Sequence, residues 1–278
     1  MSQTVASESG PVTAAQARGA GMVPFLFGVT GRPELPGALL TRLLGDLGLS
    51  RAAARALLLR MRNDGQLVGT RRGRGVDYRL AGSAARGFER VRTAAQPPRT
   101  EWTGAFHALL HQVPESRRAF RDALRRAAVM TGYGILQQGV LIALTDRSHL
   151  LAPLADPPAE AMVYSARLAM SDAEAARAAR HAWSLDELAA RHRRHIATLR
   201  DAVRQGRTPP AGPAGLRRYA ELLRAPLIDT LSSPRLPEPL EPADWPMPDL
   251  QAAIGEVQRV YGGPAVSYAR SLLDEPSG

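Results

Sequence analysis

The residues with the most chemical reach in this 278-residue sequence are arginines, gathered on one short stretch and the loop that follows it. Ser50 is followed by Arg51, Arg55, Arg60 and Arg62, and then by Arg71, Arg72 and Arg74 among glycines. A guanidinium is a planar fork that donates two hydrogen bonds at once, to O6 and N7 of a guanine or to two phosphate oxygens. Ser50 is a good helix N-cap, Gly48 permits a tight turn before it, and Gly65 stops the helix after it. With Ala54, Leu57, Leu58 and Met61 as the buried face, about 100° per residue places Arg51, Arg55 and Arg62 along one flank and Arg60 along the other. Ala52, Ala56 and Leu59 then point outward, where small side chains allow close approach to a groove.

Each of these arginines taken singly reads best as a solvated side chain. Their clustering reverses that judgement and makes Ser50, Arg51, Arg55, Arg60, Arg62, Arg71, Arg72 and Arg74 the candidate DNA-binding set. Arg51 and Arg55, near the helix N-terminus, are the expected base readers. Arg62 is the expected phosphate contact, and the loop arginines suit the minor groove or the backbone.

Other site chemistries fare worse. The absence of cysteine removes disulfides, thiolate metal sites and thiol nucleophiles. His181, His192 and His195 have arginines around them and no carboxylate at ligand spacing, and His192 falls on an apolar stripe, the position of a packed histidine. Gly73-x-Gly75 opens no helix and is no phosphate loop. No nucleophile elbow or zinc-helix motif occurs. The expectation is a protein that is not an enzyme, with no catalytic residue, metal or cofactor.

The elements that must carry the arginines can be read from periodicity and punctuation. Helices are expected over 21–29, 37–47 and 50–63, then strands over 66–70 and 76–80 flanking a loop from Arg71 to Gly75. That is the order of a winged helix-turn-helix. Between residues 21 and 92 there are 13 Arg against 5 Asp or Glu, most of the chain's net charge of +10. Such an excess is the footprint of a polyanion binder. All 36 basic residues are arginine, a bias that genome composition also produces.

A second block alternates strand and helix: a strand over 104–113, a helix after Pro114, a hairpin of 135–137 and 140–144, a weak helix over 148–155, and a strand over 162–170. This βαββαβ order is the ferredoxin-like split unit. A third block, from Asp172 onward, reads as helical, with a helix over 183–205 stopped by Gly206, a loop over 208–215 and a short helix over 216–223. Prolines at 226, 234, 237, 239, 242, 246 and 248 are then expected to bar regular structure until Leu250. The expected division is 1–20 a disordered tail, 21–96 a winged helix-turn-helix, 97–171 a ferredoxin-like domain and 172–278 a helical dimerisation and effector domain. The fold class is α+β, mostly helical. No apolar run approaches a membrane span and the tail has no secretory core, so a cytoplasmic, non-membrane protein is expected.

The motifs together resemble the PaaX-type regulators, the repressors of phenylacetic acid catabolism. The resemblance is carried by Phe27-Gly28, the Ser50-x4-Arg55-x4-Arg60-Met61-x3-Gly65 helix and the strand ending Asp77-Tyr78-Arg79-Leu80. Trp102, Pro114, Arg117, Gly132-Tyr133-Gly134, Gly139-Val140, Trp183-Ser184-Leu185-Asp186-Glu187-Leu188 and Asp244-Trp245-Pro246 continue it. It implies a Cas2-like middle domain, a homodimer on double-stranded operator DNA, and release by a small anionic effector such as an acyl-CoA. The chain departs from the pattern at Leu141-Ile142-Ala143-Leu144, where the family tends to carry a tryptophan and a proline. Arg217, Arg218, Tyr133 and Trp183 are the candidate effector residues, the arginines suited to phosphates. A sequence-independent architectural DNA-binding protein is the alternative. A metal-dependent nuclease is weaker still, because the first strand of the middle block ends Gln112-Val113-Pro114 without a carboxylate.

Overall fold

A computed structural model describes residues 21–73, 75–92, 100–206 and 208–274. The expected tail over 1–20, Arg74 and the boundary near residue 96 lie outside them. Contacts gather the chain into two compact units, one holding the described residues up to 92 with Thr198–Leu231 and those from Ala253 on, the other holding the residues from 100 to Ala197 with Ser232–Ala252. The stretch after residue 171 is thus shared between the units.

In the first unit, α1 (Met22–Thr30) ends at Gly31, whose left-handed φ of 66° lets its N–H reach back to the Phe27 carbonyl. After the short β1 (Leu35–Pro36), α2 (Gly37–Asp46) buries Leu39, Leu40, Leu43 and Leu44, the i, i+1, i+4, i+5 pattern of one helix face. The α2 terminus closes by reverse bonds, with Gly48 N donating to Gly45 O and Leu49 N to Leu44 O, and Gly48 takes a φ of 97°. Then α3 (Arg51–Asn63) starts on Ser50, whose side chain accepts from Ala53 N, and buries Ala54, Leu57, Leu58 and Met61.

Strands β2 (Leu67–Arg72) and β3 (Gly75–Leu80) form an antiparallel hairpin, with β1 pairing along the other edge of β3. The strands run further toward the tip than the sequence reading had them. Arg71 and Arg72 are strand residues paired with Val76 and Gly75 beside the turn. Gly73 carries it with a φ of 58°. Helix α4 (Gly82–Arg92) follows.

The second unit is built on a four-stranded antiparallel sheet of β4 (Ala105–Gln112), β5 (Gly134–Gln137), β6 (Val140–Ala143) and β7 (Met162–Ala169), in the order β5-β6-β4-β7. A split crossover through α5 (Arg118–Met130) produces that order, and it is the ferredoxin-like one. The expected weak helix over 148–155 is two 3-10 turns, Ser148–Leu150 and Ala152–Ala155, broken at the extended Leu151, with Pro153 in the first positions of the second turn.

The sheet is covered on both faces. Leu109, Leu141 and Tyr133 pack with Leu124 and Ala128 of α5. On the other face Phe106, Ala108 and Ile142 meet Ala175, Ala179 and Ala182 of α6 (Asp172–Ala182), with Leu236 and Leu240 from the proline-rich band. Alternate β4 residues therefore serve two cores. Ser171 and Glu174 close a capping box that starts α6.

Three long helices complete the chain: α7 (Leu185–Arg204), α8 (Gly212–Ser232) and α9 (Met247–Asp274). Here the proline reading is corrected. Helix α8 begins within the expected loop and runs on through Pro226, which is buried. One missing N–H and a ring on an apolar face are tolerated where the surrounding turns are packed. Pro264 likewise lies inside α9. Between α8 and α9 the prolines from 234 to 246 leave only a single 3-10 turn at Glu238–Leu240, but α9 starts at Met247, ahead of the expected Leu250, with Pro248 in its first turn, where a missing N–H costs no helix bond.

Candidate nucleic-acid interface

The first unit presents α3 as an amphipathic element with its apolar stripe inside and its arginines outside. Arg51, Arg55, Arg60 and Arg62 are all exposed, as are Ala52, Ala56 and Leu59 between them. Leu59 is 49% exposed, a large apolar side chain on the outward face. Such a residue suits a thymine methyl group.

A cleft of about 590 Å³ runs alongside, lined by Gly37, Thr41, Arg42 and Asp46 of α2, Arg51, Arg55 and Leu59 of α3, and Tyr78 of β3. Arg42 joins the arginine flank here, a residue the sequence reading did not single out. Its signal was faint, since an arginine opposite a leucine stripe is what any solvated helix carries. Tyr78 forms part of the wall because glycines make room for it: a Cβ at Gly69 would lie 3.2 Å from the Tyr78 ring, and one at Gly37 3.0 Å from it.

On the hairpin, Arg71 and Arg72 alternate between the two faces. Arg72 Nε lies 2.8 Å from the Asp77 carboxylate and its terminal nitrogen 4.0 Å from Glu34, yet its side chain stays 75% exposed. Ser50 uses its hydroxyl oxygen at the helix start, accepting from Ala53 N at 3.2 Å.

The four candidate effector residues fall into different units. Arg217 and Arg218 sit on α8 in the first, where Arg217 Nε donates to the Asp46 carbonyl at 2.8 Å and Arg218 lies 3.7 Å from Glu221. Tyr133 and Trp183 belong to the second. The Tyr133 hydroxyl accepts from Arg147 N at 3.2 Å, and burial holds its proton above the ordinary tyrosine range. The Trp183 ring centroid lies 6.0 Å from that of Phe106, and its N–H donates to the Gly132 carbonyl at 3.3 Å. His192 is fully buried, 3.1 Å from Ser233 Oγ and edge-on to Trp245. Among the described residues no group of three His, Asp or Glu could hold a metal ion, and no helix is long and apolar enough to cross a membrane.

Residues 99–182 match the family model described as "PaaX protein central Cas2-like domain", and residues 24–84 match "PaaX-like protein". The chain is therefore a mixed α+β protein with a Cas2-like central domain, of a class of DNA-binding, generally non-enzymatic transcriptional regulators. It belongs to the PaaX family. In fold it is similar to a solved structure, "Uncharacterized protein Rv0674 from Mycobacterium tuberculosis", at 24% identity and a TM-score of 0.52, over 95% of this chain and 100% of that one. A comparison with curated proteins found no match.

Proposed function

We propose that this chain is a ligand-responsive transcriptional repressor that binds operator DNA as a homodimer through a winged helix-turn-helix formed by α1 to α3 and the β2–β3 hairpin. The observation that carries the reading is α3 itself. Its apolar stripe is consumed by the core, so Arg51, Arg55 and Arg62 face outward beside small residues, the arrangement a helix needs to enter a major groove. Arg51 and Arg55 read base edges, Arg60 and Arg62 contact phosphates, and Arg71, Arg72 and Arg74 on the hairpin approach the backbone or minor groove. Two protomers then address half-sites of a pseudo-palindrome about one helical turn apart.

The effector in this reading is a small anion such as an acyl-CoA, and it releases the repressor from DNA. Its support is the family, whose implied effector is of this kind. The four candidates Arg217, Arg218, Tyr133 and Trp183 supply no independent support, because each has a structural partner within its own unit.

The test is binding of the purified protein to the intergenic DNA upstream of its own gene and to a scrambled control, with and without phenylacetyl-CoA and other acyl-CoAs. Selective binding that one acyl-CoA releases is the expected result. Equal affinity for both DNAs, indifferent to every acyl-CoA, would overturn it in favour of an architectural DNA-binding protein.

A further inference from the structure

Asp46, the last residue of α2, is held from two sides by helices of the same unit that lie far along the sequence. The Tyr268 hydroxyl of α9 donates to its carboxylate at 2.8 Å. Arg217 Nε of α8 donates to its backbone carbonyl, also at 2.8 Å. Arg42, one turn earlier on α2, lines the cleft beside Arg51 and Arg55.

A helix's last carbonyls have no partner inside the helix, and their orientation sets the direction in which the chain leaves. A guanidinium at that end satisfies one of them and suits the negative end of the helix dipole. From Asp46 the chain reaches Ser50, the N-cap of α3, in four residues, through Gly48 in the left-handed region. The bonds to Asp46 therefore act on the joint that aims α3.

We propose that Tyr268 and Arg217 are positioning residues for DNA reading: they grip Asp46, fix the α2–α3 turn, and make the affinity of α3 depend on α8 and α9 without touching DNA. This rests on the DNA-reading role proposed for α3, but the grip itself is measurable without DNA.

The experiment uses the full chain with Tyr268→Phe, Arg217→Ala, Asp46→Ala and the Tyr268→Phe/Asp46→Ala double variant, and Glu221→Ala, an exposed position, as a control on the same helix. One lost hydrogen bond corresponds to about a five- to tenfold change. Hydrogen exchange of the amides over 47–52 should accelerate by about that factor in Tyr268→Phe and Arg217→Ala and stay unchanged in Glu221→Ala. Operator affinity should fall by about the same factor with an unaltered salt slope, because no phosphate contact is lost. The double variant should be no weaker than Asp46→Ala alone, since both remove the same bond. Wild-type exchange over 47–52 in both single variants would overturn the proposal, and so would a reduced salt slope for Arg217→Ala, which would make that residue a phosphate contact. Should the unaltered chain fail to discriminate operator, the reading of α3 fails, while the exchange rates still decide the grip.

Discussion

Across the β2–β3 hairpin the Arg72 guanidinium and the Asp77 carboxylate lie 2.8 Å apart, so this exposed hairpin arginine is partly neutralised by a carboxylate on the adjacent strand. Removing the carboxylate releases a full positive charge at an exposed site. Asp77→Ala is expected to raise affinity for operator and random DNA alike and to steepen the salt dependence, while Arg72→Ala lowers both affinities and reduces the slope by about one. Titrations at several salt concentrations check both; opposite signs from the two variants are the decisive result.

Arg55 stands on the outward flank of α3, one turn in from the N-cap. Its replacement by alanine is expected to cost about 1–3 kcal/mol on operator DNA and little on random DNA, erasing most of the discrimination. Equal losses on both would remove it from the base-reading set.

Gly134 opens β5 directly beneath Trp183, where a Cβ would lie 2.8 Å from the indole and 2.8 Å from the Ala182 side chain. Gly134→Ala therefore forces the α6 terminus off the sheet. A destabilisation of about 1–3 kcal/mol is expected from overpacking of this kind, read as a lower urea midpoint. Leu124→Ala, a cavity in the opposite core at a fully buried site, should cost about 2–5 kcal/mol.

Burial lowers the pKa of the half-buried His111 below its ordinary value of 6.5, and Arg121 and Arg125 of α5 lower it further. The unfolded chain then takes up this proton first as the pH falls. The histidine's contribution to stability is whole above about pH 6.5 and is lost as the pH drops below it toward the folded value. His111→Gln should show a smaller loss of urea midpoint between pH 7 and pH 5 than the unaltered protein. An equal loss would assign the acid sensitivity to other groups.

Much of the interface was legible in the sequence because its determinants are local. The buried face of α3, its Ser50 cap and the left-handed glycines at 48, 65 and 73 follow from helical period and turn stereochemistry, which involve neighbours within a few residues. The sheet elements of the second unit were legible for the same reason, since alternating burial and a crossover helix impose the βαββ order. The capping box at Ser171 and Glu174 is equally local, three residues apart, yet it is seen only in the structure.

The remainder depended on partners that sequence distance conceals. Pro226 reads as a helix breaker from its own chemistry, and only burial of that helix face keeps α8 continuous through it. Arg217 reads as a free cation for an anionic ligand; its bond to the Asp46 carbonyl joins residues 171 positions apart. Tyr268 and Asp46 are 222 positions apart. Local rules thus determined which arginines α3 and the hairpin expose, through periodicity, caps and turns. Which distant helices hold those residues in place was decided by tertiary packing alone, because a hydrogen bond between remote segments leaves no period or spacing in the chain that makes it.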